Sequence, residues 1–253
     1  MNKIFMENDK IIKSDVEYQY NDNVDIKEII IDIDKDMNLS INIKDGTKIT
    51  VIFNVLDNVH CNLFLLMLGS ANQVEYQYNV GKKASCQVEK LNIVNGINEM
   101  ITASLEEDSN FSYLFKSIAE GHEKYDYMIY HNGVRSNSNV INHSINEQGS
   151  IYYQISSFVP KNIIGCCANQ YNRILNLTAN KCEIRPNLYI DCHDVEANHS
   201  ALIDLLDEKE LFYLKTRGIK EDKAKQLLIK GFLISKLKNK EFIDLIKQRL
   251  GGE

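Results

Sequence analysis

The chain has 253 residues, 44% of them hydrophobic and 25% charged, with a formal charge of −6. That is the composition of a globular protein with room for one large all-β domain and a small appendage, and its mild acidity excludes nucleic acid and anionic lipid as partners. No apolar run approaches the roughly 18 residues of a spanning helix, and Glu7, Asp9 and Lys10 break the N-terminal MNKIFMENDKIIK, leaving no secretory h-region; no membrane and a cytoplasmic location are expected.

From about residue 15 to about 205 the chain reads as a succession of short strands. In order these are VEYQYN, EIIIDI, LSINI, KITVIFNV, QVEYQYNV, SCQVEKLNIV, YDYMIYH, SNVINHSI, SIYYQISSF, NRILNL and NLYIDC. Alternation of apolar and polar residues, with many β-branched and tyrosine side chains, favours strand over helix throughout. Breaks such as NGI, HNGV, NEQGS and LTANK suit turns that need left-handed backbone. This regularity points to a sandwich, a barrel or a stacked solenoid. The hexapeptide VEYQYN occurs at residues 16–21 and again at 74–79, and IYYQIS at 151–156 is a looser relative, so repetition leans toward stacked turns. Residues 93–115 have mixed periodicity, with room for a helical turn near Ser104 to Asp108, and stay unassigned.

After Ala201 the period changes. Leu205, Leu206, Leu211, Phe212, Leu214 and then Ala224, Leu227, Leu228, Phe232 recur at helical spacing. Asp207 with Glu208 and Glu210 marks a helix start, and Gly218 after Arg217 a stop. Lys220-Glu221-Asp222 opens a second helix to about Leu233, a third runs from Lys240 to Leu250, and GGE is a loose end. The division is a β body, residues 1–205, and a helical tail, residues 206–253.

Within residues 149–232 three blocks follow one another: GSIYYQISSFVP, then NQYNRILNLTANKCEIRPNLYIDCHDVEANHSALI, then LDEKELFYLKTRGIKEDKAKQLLIKGF. This order resembles the SufB/SufD family of iron-sulfur cluster assembly scaffolds, most specifically in the last block. The resemblance implies a right-handed parallel β-helix followed by a small C-terminal helical domain, a dimer formed through the β-helix, and docking of a SufC-like ABC ATPase on the helices. A nascent, transient iron-sulfur cluster would be the cargo, and ATP chemistry would belong to the partner; the chain has no GxxxxGK[ST] loop of its own. By position Leu211, Phe212, Tyr213, Arg217, Gly218, Leu227, Leu228 and Phe232 fall in the segment the family uses against its ATPase. Because neighbours on a helix point to different faces, one of Phe212 and Tyr213 is expected inside and the other outside.

Thiolates are the first ligands of iron and sulfide, with imidazole and carboxylate as replacements. Six cysteines without a CxxC pair, in a reducing compartment, are free thiols, ligands or small buried groups. The densest supply is Cys182, Cys192, His193, Glu196 and His199, with Cys166 and Cys167 just upstream. By resemblance His199 matches the histidine preceding the helical domain, at a position implicated in cluster assembly at the subunit interface; Cys192 and Cys182 match cysteines of the SufB version. Alternation puts Cys192 on the face of Leu188 and Ile190, and His193 with Asp191 and Tyr189 on the other. Where SufB has Q-C-D this chain has Gln170-Tyr171-Asn172, and where SufB has H-E-A it has His199-Ser200-Ala201, both SufD-like.

These mixed features, and a length below that of the usual members, imply a minimal system. One subunit forms a homodimer, or a heterodimer with a second SufB/SufD-type chain, and Cys166 or Cys167 stands in for the absent cysteine. A SufD-like structural subunit that positions the ATPase without binding metal is the alternative. A carbohydrate-active β-helix enzyme would need paired acids, for which Asp191 and Glu196 are the nearest candidates, and a sugar platform; the chain has no Trp.

Overall fold

A computed structural model describes residues 1–22 and 27–251, so the chain end beyond Gly251 lies outside the described residues. Its strands are β1 (Asn2–Glu7), β2 (Lys10–Ser14), β3 (Gln19–Asp22), β4 (Lys27–Ile33), β5 (Met37–Val55), β6 (His60–Val80), β7 (Ser85–Val94), β8 (Ile97–Leu105), β9 (Asn110–Ala119), β10 (His122–His131), β11 (Asn137–Asn146), β12 (Ser150–Val159), β13 (Cys166–Asn176), β14 (Glu183–Ile190) and β15 (Val195–Asp204). The helices α1 (Glu208–Thr216), α2 (Glu221–Ile234) and α3 (Lys240–Arg249) follow.

From β5 onward every pairing is parallel, in the order β14-β12-β10-β8-β6-β7-β9-β11-β13-β15. The path is a flattened parallel β-solenoid of about seven turns, as expected, in which β7, β9, β11, β13 and β15 form one wall and β8, β10, β12 and β14 the other. The halves of β5 and β6 serve both walls: β6 pairs with β7 through residues 60–69 and with β8 through residues 73–80. Antiparallel β1–β2 and β3–β4 hairpins close the N-terminal end.

Residues 93–115 hold the end of β7, all of β8 and the first part of β9, joined by corners, with no helical turn. Asp108 in that corner has φ 56°, and Asn58, Lys83, Arg135 and Gly165 occupy the same left-handed position in other turns, with φ between 55° and 69°. Each of the five donates its amide to the corner of the next turn, as in Lys83 N to Glu107 O and Gly165 N to Asp194 O, so corner stacks on corner. The two copies of VEYQYN are not equivalent: the first spans the antiparallel β3 and the residues before it, the second lies inside the parallel β6.

Period-two alternation sends one side of each wall inward, where Leu39, Leu63, Tyr76, Tyr78, Phe111, Tyr113, Tyr125, Tyr127 and Tyr153 build a close-packed core. Aromatic rings at ladder positions stack, Phe53 on Tyr78 at 5.2 Å, because parallel register repeats each column one strand spacing away. Charge is buried there too. Lys90 meets Glu99 at 2.5 Å, both side chains fully buried, and its ammonium lies 3.7 Å from the Tyr76 ring centroid.

The tail helices have their own signals. Asp207 caps α1 by accepting from the amides of Lys209 and Glu210, Gly218 takes φ 82° after it, and Asn239 caps α3. α2 and α3 bury Ile229, Leu233, Leu237, Phe242, Ile246 and Leu250 against Leu66, Leu91, Leu114, Ile118, Ile145 and Leu175 on the outside of the β7–β15 wall. α1 buries no residue. Among the described residues no helix is long and apolar enough to cross a membrane.

Candidate functional site

Among the described residues no strand lies above the last turn of the solenoid. Register places Val195, Ala197, His199, Ala201 and Ile203 over the inward-facing Cys166, Ala168, Gln170, Asn172 and Ile174. The five on β15 therefore continue the interior column, yet His199 and Ala201 are exposed and Ile203 keeps 43% of its surface, because nothing stacks on them. Beneath His199, the buried Gln170 amide donates to Ser157 Oγ at 2.8 Å and to the Asn187 carbonyl at 3.1 Å, tying the two walls together. The imidazole thus stands on a polar floor at an open rim.

Around that rim the other candidates separate into two ends of one strand. Cys192 and His193 follow β14, and Asp194 accepts from Gly165 N at 2.7 Å, so this segment lies over the corner that leads into Cys166 and Cys167. Glu196 sits over Cys167 on the outer face. Cys182 precedes β14 at its opposite end, roughly 26 Å away for an eight-residue strand. The structure does not bring Cys182, Cys192 and His199 together, and no group of three or more His, Cys, Asp or Glu side chains among the described residues is placed to hold a metal ion.

The thiols differ in setting. Cys166 is buried, with its sulfur 3.4 Å from Ser136 Oγ, and Ser136 meets His131 Nδ1 at 2.8 Å. Burial pushes the Cys167 thiol up, and the Glu196 carboxylate adds to that, while the Asn169 amide 3.1 Å from its sulfur opposes it. Cys182 is also pushed up by burial, against the Ile151 backbone and the Asn146 amide, the latter 3.4 Å from its sulfur. Neither Cys167 nor Cys182 is a ready thiolate; a bound metal would have to draw the proton off.

The proposed docking residues divide as well. Phe212 and Tyr213 are both exposed, at 69% and 56%, which corrects the expectation that one is inside: α1 packs on α2 and half-buries Leu211 and Leu214, leaving the side of the two aromatic rings open. Arg217 lies over the Tyr213 ring at 5.2 Å, and Leu227 on α2 is exposed. Leu211 and Leu228 are half-buried and Gly218 is exposed. Phe232 stacks on His143 of β11 at 4.9 Å, so its ring is engaged by the solenoid. Sequence reading missed the buried charges altogether: Lys90, Glu99, Lys116 and Glu123 sit in strands where alternation alone does not reveal which wall faces what.

A family model described as the SufBD core domain of SUF system FeS cluster assembly matches residues 68–232. An iron-sulfur cluster assembly SufBD family protein of Pyrococcus horikoshii is 41% identical over 70 residues, 27% of this chain and 16% of that protein. The iron-sulfur cluster assembly protein SufD of Bacillus subtilis is 32% identical over 114 residues, 44% of this chain and 26% of the relative; that of Escherichia coli is 33% identical over 61 residues, 24% and 14%. The matched segments thus span well under a third of these relatives.

Proposed function

Because the chain belongs to the SufBD family of iron-sulfur cluster assembly proteins, we propose that it is a scaffold subunit whose open last turn builds or passes on a nascent cluster. The observation that carries this reading is His199 standing in the interior column of an unstacked turn, with β14 and β15 ending the sheet. β14 and β15 are the two edges of the sheet path among the described residues, and with exposed Tyr189 and Ile203 on them they suit isologous pairing with a second copy or a homologous chain. Among the described residues no three ligands are together, and the proposed ligand set is drawn from both subunits: His199, Cys192 and Glu196 from each rim, with Cys166, Cys167 or Cys182 contributing after rearrangement.

The exposed Phe212, Tyr213, Arg217 and Leu227 give the tail an aromatic and cationic surface of the kind enriched in binding hot spots, and a SufC-like ABC ATPase is the proposed partner. The cell compartment is proposed to be the cytoplasm, where six free cysteines remain reduced. The absence of a three-ligand group among the described residues favours one second reading, a SufD-like subunit that positions the ATPase without holding metal.

Anaerobic co-purification with the ATPase, followed by iron and sulfide analysis of wild type and His199→Ala, separates the two. A scaffold loses cluster in the variant while keeping the ATPase; an inert platform carries no cluster in either. Truncation after Asp207 abolishes ATPase co-purification if the tail docks it, and retention of the ATPase would refute that assignment.

A further inference from the structure

On the outside of the β7–β15 wall, one register column runs Leu66, Leu91, Lys116, His143, Arg173, Leu202. Three basic groups therefore stand on three adjacent strands, an arrangement in which like charges directly opposite one another repel. The last turn of α2 covers this column. Lys116 Nζ is 2.8 Å from His143 Nδ1, 3.5 Å from the Phe232 carbonyl and 3.4 Å from Ser235 Oγ, so it caps the C-terminal end of α2. The Phe232 ring stacks on His143 and also lies 5.3 Å from the Arg173 guanidinium. Lys116 is fully buried by this cover.

We propose that this column is a proton-operated latch: proton uptake by the Lys116–His143 pair loosens α2 and α3 from the solenoid, and proton loss tightens them. The geometry allows one proton between the two nitrogens, Lys116 donating and His143 Nδ1 accepting. A proton added to that neutral pair makes a buried ammonium facing Lys236, and a further one sets an imidazolium against it inside a closed contact. The surrounding charges add to the repulsion more than they relieve it. Lys236, next after the α2 cap, faces both groups, and Arg173 on β13 faces His143 while paired with Asp204 of β15 at 3.2 Å. Glu89 on β7 is the opposing carboxylate, and its oxygens also receive the amides of Lys238 and Asn239 at the start of α3.

The direction follows from the docked state. Burial, then Lys236, brings Lys116 down to about 7, and burial, then Lys116, Lys236 and Arg173, brings His143 down to about 3. With the helices lifted off, both return toward ordinary values, so the docked form binds fewer protons and docking weakens as pH falls. Between pH 8 and pH 6 the docking constant should fall roughly tenfold or more. This inference concerns the chain's own tail and holds whether or not that tail binds an ATPase.

Amide exchange of the full chain, corrected for intrinsic rate at each pH, tests it. Protection of the α2 and α3 amides should fall roughly tenfold or more from pH 8 to pH 6, while β8 and β10 keep theirs. In Lys116→Leu/His143→Leu, which extends the leucines of the same column, the tail should stay protected at both pH values. A pH-independent wild-type tail, or the same loss in the variant, overturns the latch. Should the variant not fold, the wild-type imidazole decides by NMR: His143 staying neutral down to pH 5 in the docked form supports the latch, and ordinary titration near pH 6.5 with the tail still protected refutes it.

Discussion

Glu123 offers the sharpest test of the solenoid interior. Its side chain is 2% exposed and receives Ser117 Oγ at 2.5 Å and Tyr125 Oη at 2.9 Å, and Tyr125 continues through Asn92 to Glu99. Burial pushes its carboxyl up to about 8, the two hydrogen bonds opposing and the Glu99 charge assisting. The folded pKa lies above the unfolded one, so the proton held in the fold stabilises it fully below the unfolded value. That stability is lost as pH rises toward 8, at about 1.4 kcal/mol per pH unit, and levels off above it. Glu123→Gln keeps the shape and carries no charge at any pH. Urea unfolding of both forms at pH 6, 7, 8 and 9 should show the wild type losing about 3 kcal/mol relative to the variant across that range. Taking the difference removes the opposite contribution of Lys90, which burial brings down to about 8 against the raising influence of Glu99. A wild-type-minus-variant difference that does not move with pH would refute the buried, proton-holding carboxyl.

Three further outcomes are expected. Gly149→Ala would place a Cβ 1.5 Å from the Gly121 carbonyl oxygen of the preceding turn, a backbone atom that cannot step aside, so thermal unfolding should show a loss of several kcal/mol, on the order of 3 or more. Leu233→Ala empties a fully buried position in the tail-to-wall contact and should cost about 2 to 5 kcal/mol, read as lost exchange protection in α2 and α3 with the solenoid strands unchanged. Phe212→Ala with Tyr213→Ala should leave the unfolding free energy in urea within about 0.5 kcal/mol of wild type, because both rings are exposed, and should still reduce ATPase co-purification; retained binding would move the docking surface elsewhere.

Local patterns made much of the architecture legible. Alternation marked the strands, and the helix starts at Asp207 and Asn239 obey ordinary capping chemistry. The corner at 106–109 was harder, because a left-handed residue is expected to be Gly or Asn, whereas successive turns use Asn58, Lys83, Asp108, Arg135 and Gly165. Only stacking identifies them as one position. The buried charges were hidden for the same reason: Lys116 reads as a solvated strand residue until the tail is known to lie across it. Phe212 and Tyr213 fit a helix with one packed face, but the half-buried side of their helix is that of Leu211 and Leu214. Of the rim, His199 was readable as a chemical group, while its place in an interior column required the register of β13 and β15.

That register fixes what kinds of change the molecule accepts. Ten strands from β6 to β15 pair without a slip, so deleting a single residue inside any of them would turn every later side chain of that strand inside out. Length can vary only at corners, and it does: ladder partners lie 25 residues apart early, as for Asn54 and Asn79, and 30 apart late, as for Asn142 and Asn172. His199 is therefore locked to its column by every turn beneath it. Cys182 stands in a corner instead, where an added or lost residue disturbs no strand, so its place on the perimeter can be reset without refolding the body.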